Sequence, residues 1–264
     1  MREAPLATRA EVLRVHTAEY AEGFLAGSLP ANSMRRIGFP WSPGLVQRTL
    51  ASAGSTLHAA RTALATGLAG TLAGGTHHAF RGEGSGFCVF NDLAIAIEDL
   101  RAQHAVKRFA VVDLDVHQGD GTAAIFSAEP KVFTFSVHGK KNFPFRKQQS
   151  TLDVELEDGA EDDEYLNEVE RGLANVWRFR PEFILYQSGV DGLQSDRLGR
   201  LKLTNDGLRR RDEMVIQEAR QRGIPLVITL GGGYSEPIAL TVAAHVNTFR
   251  IASRIFTDKS FMQS

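Results

Sequence analysis

Apolar residues recur along this chain with two different periods, and the period changes repeatedly from one end to the other. Thr8 followed by Glu11 has the spacing of a capping box, and Val12, Val15, Phe24 and Leu25 then fall at about helical intervals, predicting a first helix. Ser42 and Pro43 suit an N-cap and a first helical position, and Val46, Leu50, Ala53, Leu57 and Leu64 carry one apolar stripe to about residue 66. Beyond that long second helix, short apolar runs alternate with helical patterns. The strand-like runs are AGTLAGG near 69–75, RFAVVDLD at 108–115, KVFTFSVHG at 131–139, EFILYQSG at 182–189 and PLVITLGGG at 225–233. Helical patterns occupy about 92–104, 120–128, 162–179, 205–222 and 236–255. Strand and helix in alternation imply crossover units, so the expected fold class is α/β, a three-layer α/β/α arrangement around a mostly parallel sheet.

Composition narrows the setting. A chain of 264 residues with 43% hydrophobic content can bury one large core, and residues 1–264 read as a single domain. Lys and Arg number 30 against 31 Asp and Glu, so no overall field recruits nucleic acid or an anionic membrane. The lone Cys88 cannot form an internal disulfide, and neither a signal segment nor an apolar run of membrane-spanning length is visible. The expectation is a soluble, cytoplasmic protein. The acidic run ELEDGAEDDE at 155–164 reads as a solvated loop entering a helix start, where acids suit the macrodipole.

The polar residues that interrupt this pattern sit just past the carboxyl ends of predicted strands: His77 and His78, then Asp113 to Asp120, then Asp191, then Tyr234. In open parallel sheets those ends share one edge, where ligands bind. In DLDVHQGD, residues 113–120, an extended chain would project Asp113, Asp115 and His117 on one side. Ionised carboxylates buried there would cost several kcal/mol, and a bound cation is the economical remedy. Asp115, His117 and one more carboxylate, with Asp191 the natural third, leave an open position for water, as in a catalytic zinc site. Helix capping would account for Asp120 alone and leave the other groups without partners. In GGTHHAFRGEGSGFCVFND, residues 74–92, tandem histidines beside spare aspartates suggest tuned acid/base groups, with Asp113 and Asp120 each accepting a hydrogen bond from a ring nitrogen. Gly82, Gly84 and Gly86 make a loop without phosphate-binding spacing, and Asn91 or Asp92 suits the cap of the next helix.

The motifs GGTHHAF, GFCVFNDLAIA, VVDLDVHQGDGT, FSVHGKKNFPF, SGVDGLQSDRLG and LGGGY, in that order, closely resemble the zinc-dependent histone deacetylase family, particularly its bacterial members related to class IV. The resemblance runs from about residue 8 to the C-terminus. It implies an arginase/deacetylase-like fold, metal ligands at Asp115, His117 and Asp191, paired histidines at His77 and His78 with Asp113 and Asp120 as their partners, and a carbonyl-polarising Tyr234. It also implies that Gly86, Phe87, Phe143 and Gly232 line a narrow acyl-lysine tunnel. The metal would be zinc, with ferrous iron compatible with the same donors. A potassium ion would be held by main-chain oxygens at Asp113, Asp115 and His117 and by groups at Ser136 and Val137. The activity so implied is hydrolysis of an acylated lysine peptide or small acylated amine, with fatty-acyl groups to be tested beside acetyl.

Family members usually carry some tens of residues before the first helix. The sequence is N-terminally shortened by that comparison, predicting a more open entrance, an exposed apolar patch or a homo-oligomer contact. His16 and His58 read as packing or surface residues, His138 as structural and Trp41 as an apolar contact. The cations of HGKKNFPFRK suit a solvated loop, with steering of an acidic substrate the sharper alternative. Two other functions stay open. A ureohydrolase-like enzyme with two manganese ions would need further metal ligands where His77 and His78 stand, and has no use for Tyr234. An inactive acyl-amine binding module would bind such ligands without turnover.

Overall fold

The computed structural model describes residues 3, 5–104 and 106–257. Six strands form one wholly parallel sheet: β1 (Leu68–Gly70), β2 (Phe109–Asp113), β3 (Val132–Gly139), β4 (Leu152–Leu156), β5 (Phe183–Gln187) and β6 (Leu226–Thr229). Their spatial order is β1-β6-β5-β2-β3-β4. The chain winds outward from β2 through β3 to β4, then returns to lay β5 on the other side of β2 and winds the opposite way to β6. The winding direction therefore reverses between β2 and β5, and a crevice at their carboxyl ends is the expected ligand position.

The helices are α1 (Arg9–Val12), α2 (Ala18–Ala26), α3 (Ala31–Ile37), α4 (Pro43–Thr66), α5 (Asp92–His104), α6 (Asp120–Phe126), α7 (Asp162–Phe179), α8 (Asn205–Gln221) and α9 (Ala239–Thr257). Side-chain alternation along each strand divides them into two layers. Phe109, Val111, Phe183, Leu185 and Val227 pack with residues of α1, α2, α4, α5 and α6, while Ala110, Val112, Ile184, Tyr186 and Ile228 pack with α7, α8 and α9. This is the α/β/α architecture expected from the sequence. Among the described residues no helix is long and apolar enough to cross a membrane.

The capping box and the long second helix form as read. Thr8 N–H donates to Glu11 Oε2 at 2.7 Å, and Ser42 Oγ accepts from Leu45 N–H at 3.0 Å ahead of Pro43. The predicted first helix, however, is two: Thr17 interrupts it and caps α2 through its own side chain. A short helix, α3, and an edge strand, β4, were not foreseen. β4 takes the first two residues of the acidic run out of the loop assigned to them, and the rest leads into α7 as expected, with Asp162, Asp163 and Glu164 in its first turn. β1 is only three residues long, so most of AGTLAGG is loop.

Candidate active site

The strand period carries β2 only to Asp113; beyond it the chain bends, and Asp115 and His117 part company with Asp113. Asp113 Oδ2 lies 2.7 Å from His77 Nδ1, and Asp120 Oδ1, at the start of α6, lies 2.7 Å from His78 Nδ1. His117 Nδ1 is 3.0 Å from Asp115 Oδ1 and 3.0 Å from Asp191 Oδ2. Asp115, His117 and Asp191 each offer a ligand atom, all within 4.8 Å of one another, and they are the one such group of three among the described residues. Asp115 and His117 follow β2 and Asp191 follows β5, so the group sits where the winding reverses.

Backbone amides fix the carboxylates. Val116 N–H donates to Asp191 Oδ1 at 2.9 Å and Gly232 N–H donates to Asp115 Oδ2 at 2.7 Å. A Cβ on Gly232 would lie 1.9 Å from Asp191 Oδ2, so only glycine lets this backbone come so near. Gly86 has a similar duty: at φ +53° its missing side chain leaves room for the His78 and Phe143 rings, which a Cβ would meet at 2.7 and 2.9 Å.

Electrostatics follow from burial. Burial pushes Asp191 up, and the neighbouring Asp115 charge adds to it, to about 7. Asp115 itself is held well below the usual carboxylate range, because the hydrogen bond from His117 and the charges of His77 and His117 outweigh its burial. For His117, burial is overcome by the same two carboxylates, and its pKa rises to about 11. Two buried acids so close demand a shared positive centre. Two carboxylates and one imidazole converging on one point also fit a divalent zinc or iron with an open position.

The adjacent histidines divide. His77 is pushed up to about 9, its burial outweighed by Asp113, whereas burial and the His77 charge push His78 down to about 4. Their rings stand 4.1 Å apart between centroids. Above them lies a cavity of about 590 Å³ lined by His77, His78, Gly86, Phe87, Phe143, Asp115, His117, Asp191, Gly232 and Tyr234, among others. Phe143 meets His78 edge-on at 5.0 Å. Tyr234 N–H donates to Asp196 Oδ2 at 2.6 Å, and burial and nearby carboxylates push its phenol well above the ordinary value. The catalytic, metal-ligand and tunnel residues proposed from the sequence thus each line one cavity or hydrogen-bond to a residue lining it, though the Gly232 amide is already committed to Asp115; Ser136 and Val137, expected at the potassium site, lie on β3 and do not line it.

These motifs have the expected surroundings over nearly the whole chain: residues 1–249 match the model of the histone deacetylase domain. The chain belongs to the histone deacetylase family. It is 45% identical over 252 residues to an uncharacterised protein of Picosynechococcus, covering 95% of this chain and 84% of that one. It is 36% identical over 253 residues to a histone deacetylase-like amidohydrolase of Pseudomonas aeruginosa, covering 89% and 66%, and 32% identical over 247 residues to Histone deacetylase 2 of Arabidopsis thaliana, covering 90% and 64%. The chain therefore spans about two thirds of the length of these two deacetylase relatives.

Four residues were missed from sequence. Asp92, a candidate cap, leaves capping to Asn91, whose Oδ1 accepts from Ala94 N–H at 2.9 Å. Its own carboxylate accepts from Gly75 N–H at 2.8 Å and Thr76 N–H at 2.7 Å, holding the turn that aims His77. Gln187, the polar end of an apolar strand, donates to Gly75 O at 2.8 Å. Arg211 is fully buried and donates to Gly189 O at 2.6 Å and Leu114 O at 3.3 Å, the chain on both sides of the β2–β5 crevice. Its signal was a charged pair, Arg211 and Asp212, within the buried stripe Leu208, Val215, Ile216 and Ala219 of α8. Asp196 holds the Tyr234 backbone. His16 and His138 are buried and His58 is exposed, in keeping with packing and surface roles, and Trp41 packs at the surface with Nε1–H donating to Phe24 O at 2.7 Å.

Proposed function

We propose that the protein is a metal-dependent amide hydrolase that removes acyl groups from acyl-lysine or a related acylated amine. The observation that carries this reading is the convergence of Asp115, His117 and Asp191 at the foot of a cavity beside two histidine–aspartate pairs. Bound there, zinc or ferrous iron would polarise the acyl carbonyl and acidify water.

The remaining work falls to side chains. Nδ1 of His78 faces Asp120, so the aspartate fixes the tautomer and leaves Nε2 as proton acceptor. Held neutral, His78 takes the proton of the attacking water and later delivers it to the departing amine. His77, held charged by Asp113, stabilises the negative charge that develops beside it. The Tyr234 phenol stays protonated and donates to the same oxygen, a contribution of roughly 3 kcal/mol. Phe87 and Phe143 flank the stem of the acylated lysine, which needs burial but no hydrogen bonds. A potassium ion beside β2 and β3 is part of the same proposal; Asp113 and Ser136 are register partners there, which supports the placement.

Protein reconstituted with zinc or iron should hydrolyse one or more members of an acyl-lysine peptide series running from acetyl to fatty acyl, hydroxamates should inhibit it, and metal analysis should give one ion per chain. Two manganese ions per chain would favour the ureohydrolase alternative. Equal inactivity of wild type and His78→Ala, with both still binding ligand, would favour the binding module.

A further inference from the structure

The mouth of the cavity carries a collar of positive charge. Arg35 and Arg36 on α3, Arg48 on α4, Lys141 after β3 and Arg200 after β5 all line it, and all are exposed. Among the described residues no carboxylate lines it except Asp115 and Asp191. The chain as a whole has a formal net charge of -1, so this concentration of cations is local.

Neighbouring acids offset the collar only in part. Arg36 pairs with Glu83 at 2.6 Å, while Glu157 and Asp158 are shared among Lys140, Lys141 and Arg200. Arg35 and Arg48 have no carboxylate partner among the described residues. Arg48 is nonetheless held in place. Its guanidinium stacks 4.7 Å from the centroid of Phe39, and Phe39 packs at 5.3 Å against Phe87, which lines the cavity. A fixed, unpaired guanidinium fork at an opening recognises carboxylate or phosphate oxygens.

Resting on the deacylase reading above, we propose that the preferred substrate is an anionic acylated amine, whose part outside the tunnel bears carboxylates that meet Arg35 and Arg48. The same charges disfavour acylated polyamines and acyl-lysines in basic sequences. The carboxylates can belong to acidic residues flanking an acyl-lysine in a peptide or to a small molecule such as a free ε-acylated lysine.

The experiment holds the acyl group constant and varies the carrier: acyl-lysine peptides with acidic, neutral and basic flanks, free ε-acylated lysine, and an acylated diamine. Values of kcat/KM are measured at low and high salt for wild type and for the double variant Arg35→Glu/Arg48→Glu. The acidic peptide should exceed the neutral one by about tenfold at low salt, mainly through KM, and high salt should erase the difference. The double variant should reverse the order of acidic and basic peptides. Preference for free ε-acylated lysine over the acidic peptide would assign the carboxylate to a small molecule; the opposite order would assign it to a protein. The same ranking of peptides in wild type and variant, or a wild-type preference for the basic peptide, overturns the proposal. If none of the carriers is cleaved, the deacylase reading fails instead. Anisotropy of the labelled peptides on the same proteins then decides the collar by its binding order.

Discussion

His77 and His78 are adjacent in sequence, 4.1 Å apart between ring centroids, and each bound through Nδ1 to its own aspartate, yet they are driven to opposite charge states. The cause is order of influence. Asp113 outweighs burial at His77, and the resulting cation then adds to burial at His78.

The activity should follow that division. In the proposed mechanism His78 acts as base only when neutral, so activity should be lost as pH falls toward its value of about 4, and the supporting His77 charge as pH rises through about 9. His77→Ala removes the positive neighbour that depresses His78, so the acidic limb of the kcat/KM profile should move to higher pH. An unmoved limb would mean that His78 is not the group titrating.

Gly232 supplies both an amide and an absence. Gly232→Ala should leave helix content unchanged while lowering metal content after reconstitution and reducing kcat/KM by about 100-fold, since a methyl group there displaces Asp191. Full metal loading in this variant would place the ion elsewhere.

His16 predicts a pH dependence of stability. Asn91 N–H donates to His16 Nε2 at 2.9 Å, which requires that nitrogen unprotonated, and burial pushes the pKa from 6.5 down to about 4. The unfolded chain binds this proton more readily, so the contribution is complete above about pH 6.5 and disappears as pH falls toward 4. The loss should approach roughly 3 kcal/mol. Urea midpoints at neutral and acidic pH should drop further for wild type than for His16→Gln.

Arg211 joins the two segments that carry the three clustered donors. Removing it leaves Asp212 buried with, among the described residues, only the Tyr186 and Thr248 hydroxyls as side-chain donors, at 2.5 and 2.6 Å. Arg211→Met should cost about 3–5 kcal/mol, and Arg211→Met/Asp212→Leu should cost less than the single change, because a lone buried charge is worse than none. Urea denaturation of both variants tests the order.

Much of this protein could be read from the chain. Five of the six strands, the long helix with its Ser42 cap, and the succession of strand ends bearing histidine, aspartate and tyrosine all follow from period, caps and motif order. Local signals failed where burial was partial. β4 is an edge strand whose first four residues are not fully buried, so its sequence shows no strong apolar run. α3 buries only Ile37 and presents no stripe to detect.

The residues by themselves determined the α/β class, the chemical types available to the site and the Asp115–His117 spacing, because neighbouring side chains and backbone periods are local properties. The resemblance paired Asp113 with His77 and grouped Asp115 with Asp191, whereas the strand period put Asp113, Asp115 and His117 on one side; the tertiary structure is what separates Asp113 from the other two. The strand ends at Asp113, and the next turn of chain is set by Arg211, Gln187 and Gly232 reaching across from other segments. Likewise no local pattern reveals the arginine collar, since α3, α4 and the loops after β3 and β5 are brought to one opening by the sheet. Charges far apart in sequence acquire a shared field only when the fold places them within a screening length of one another.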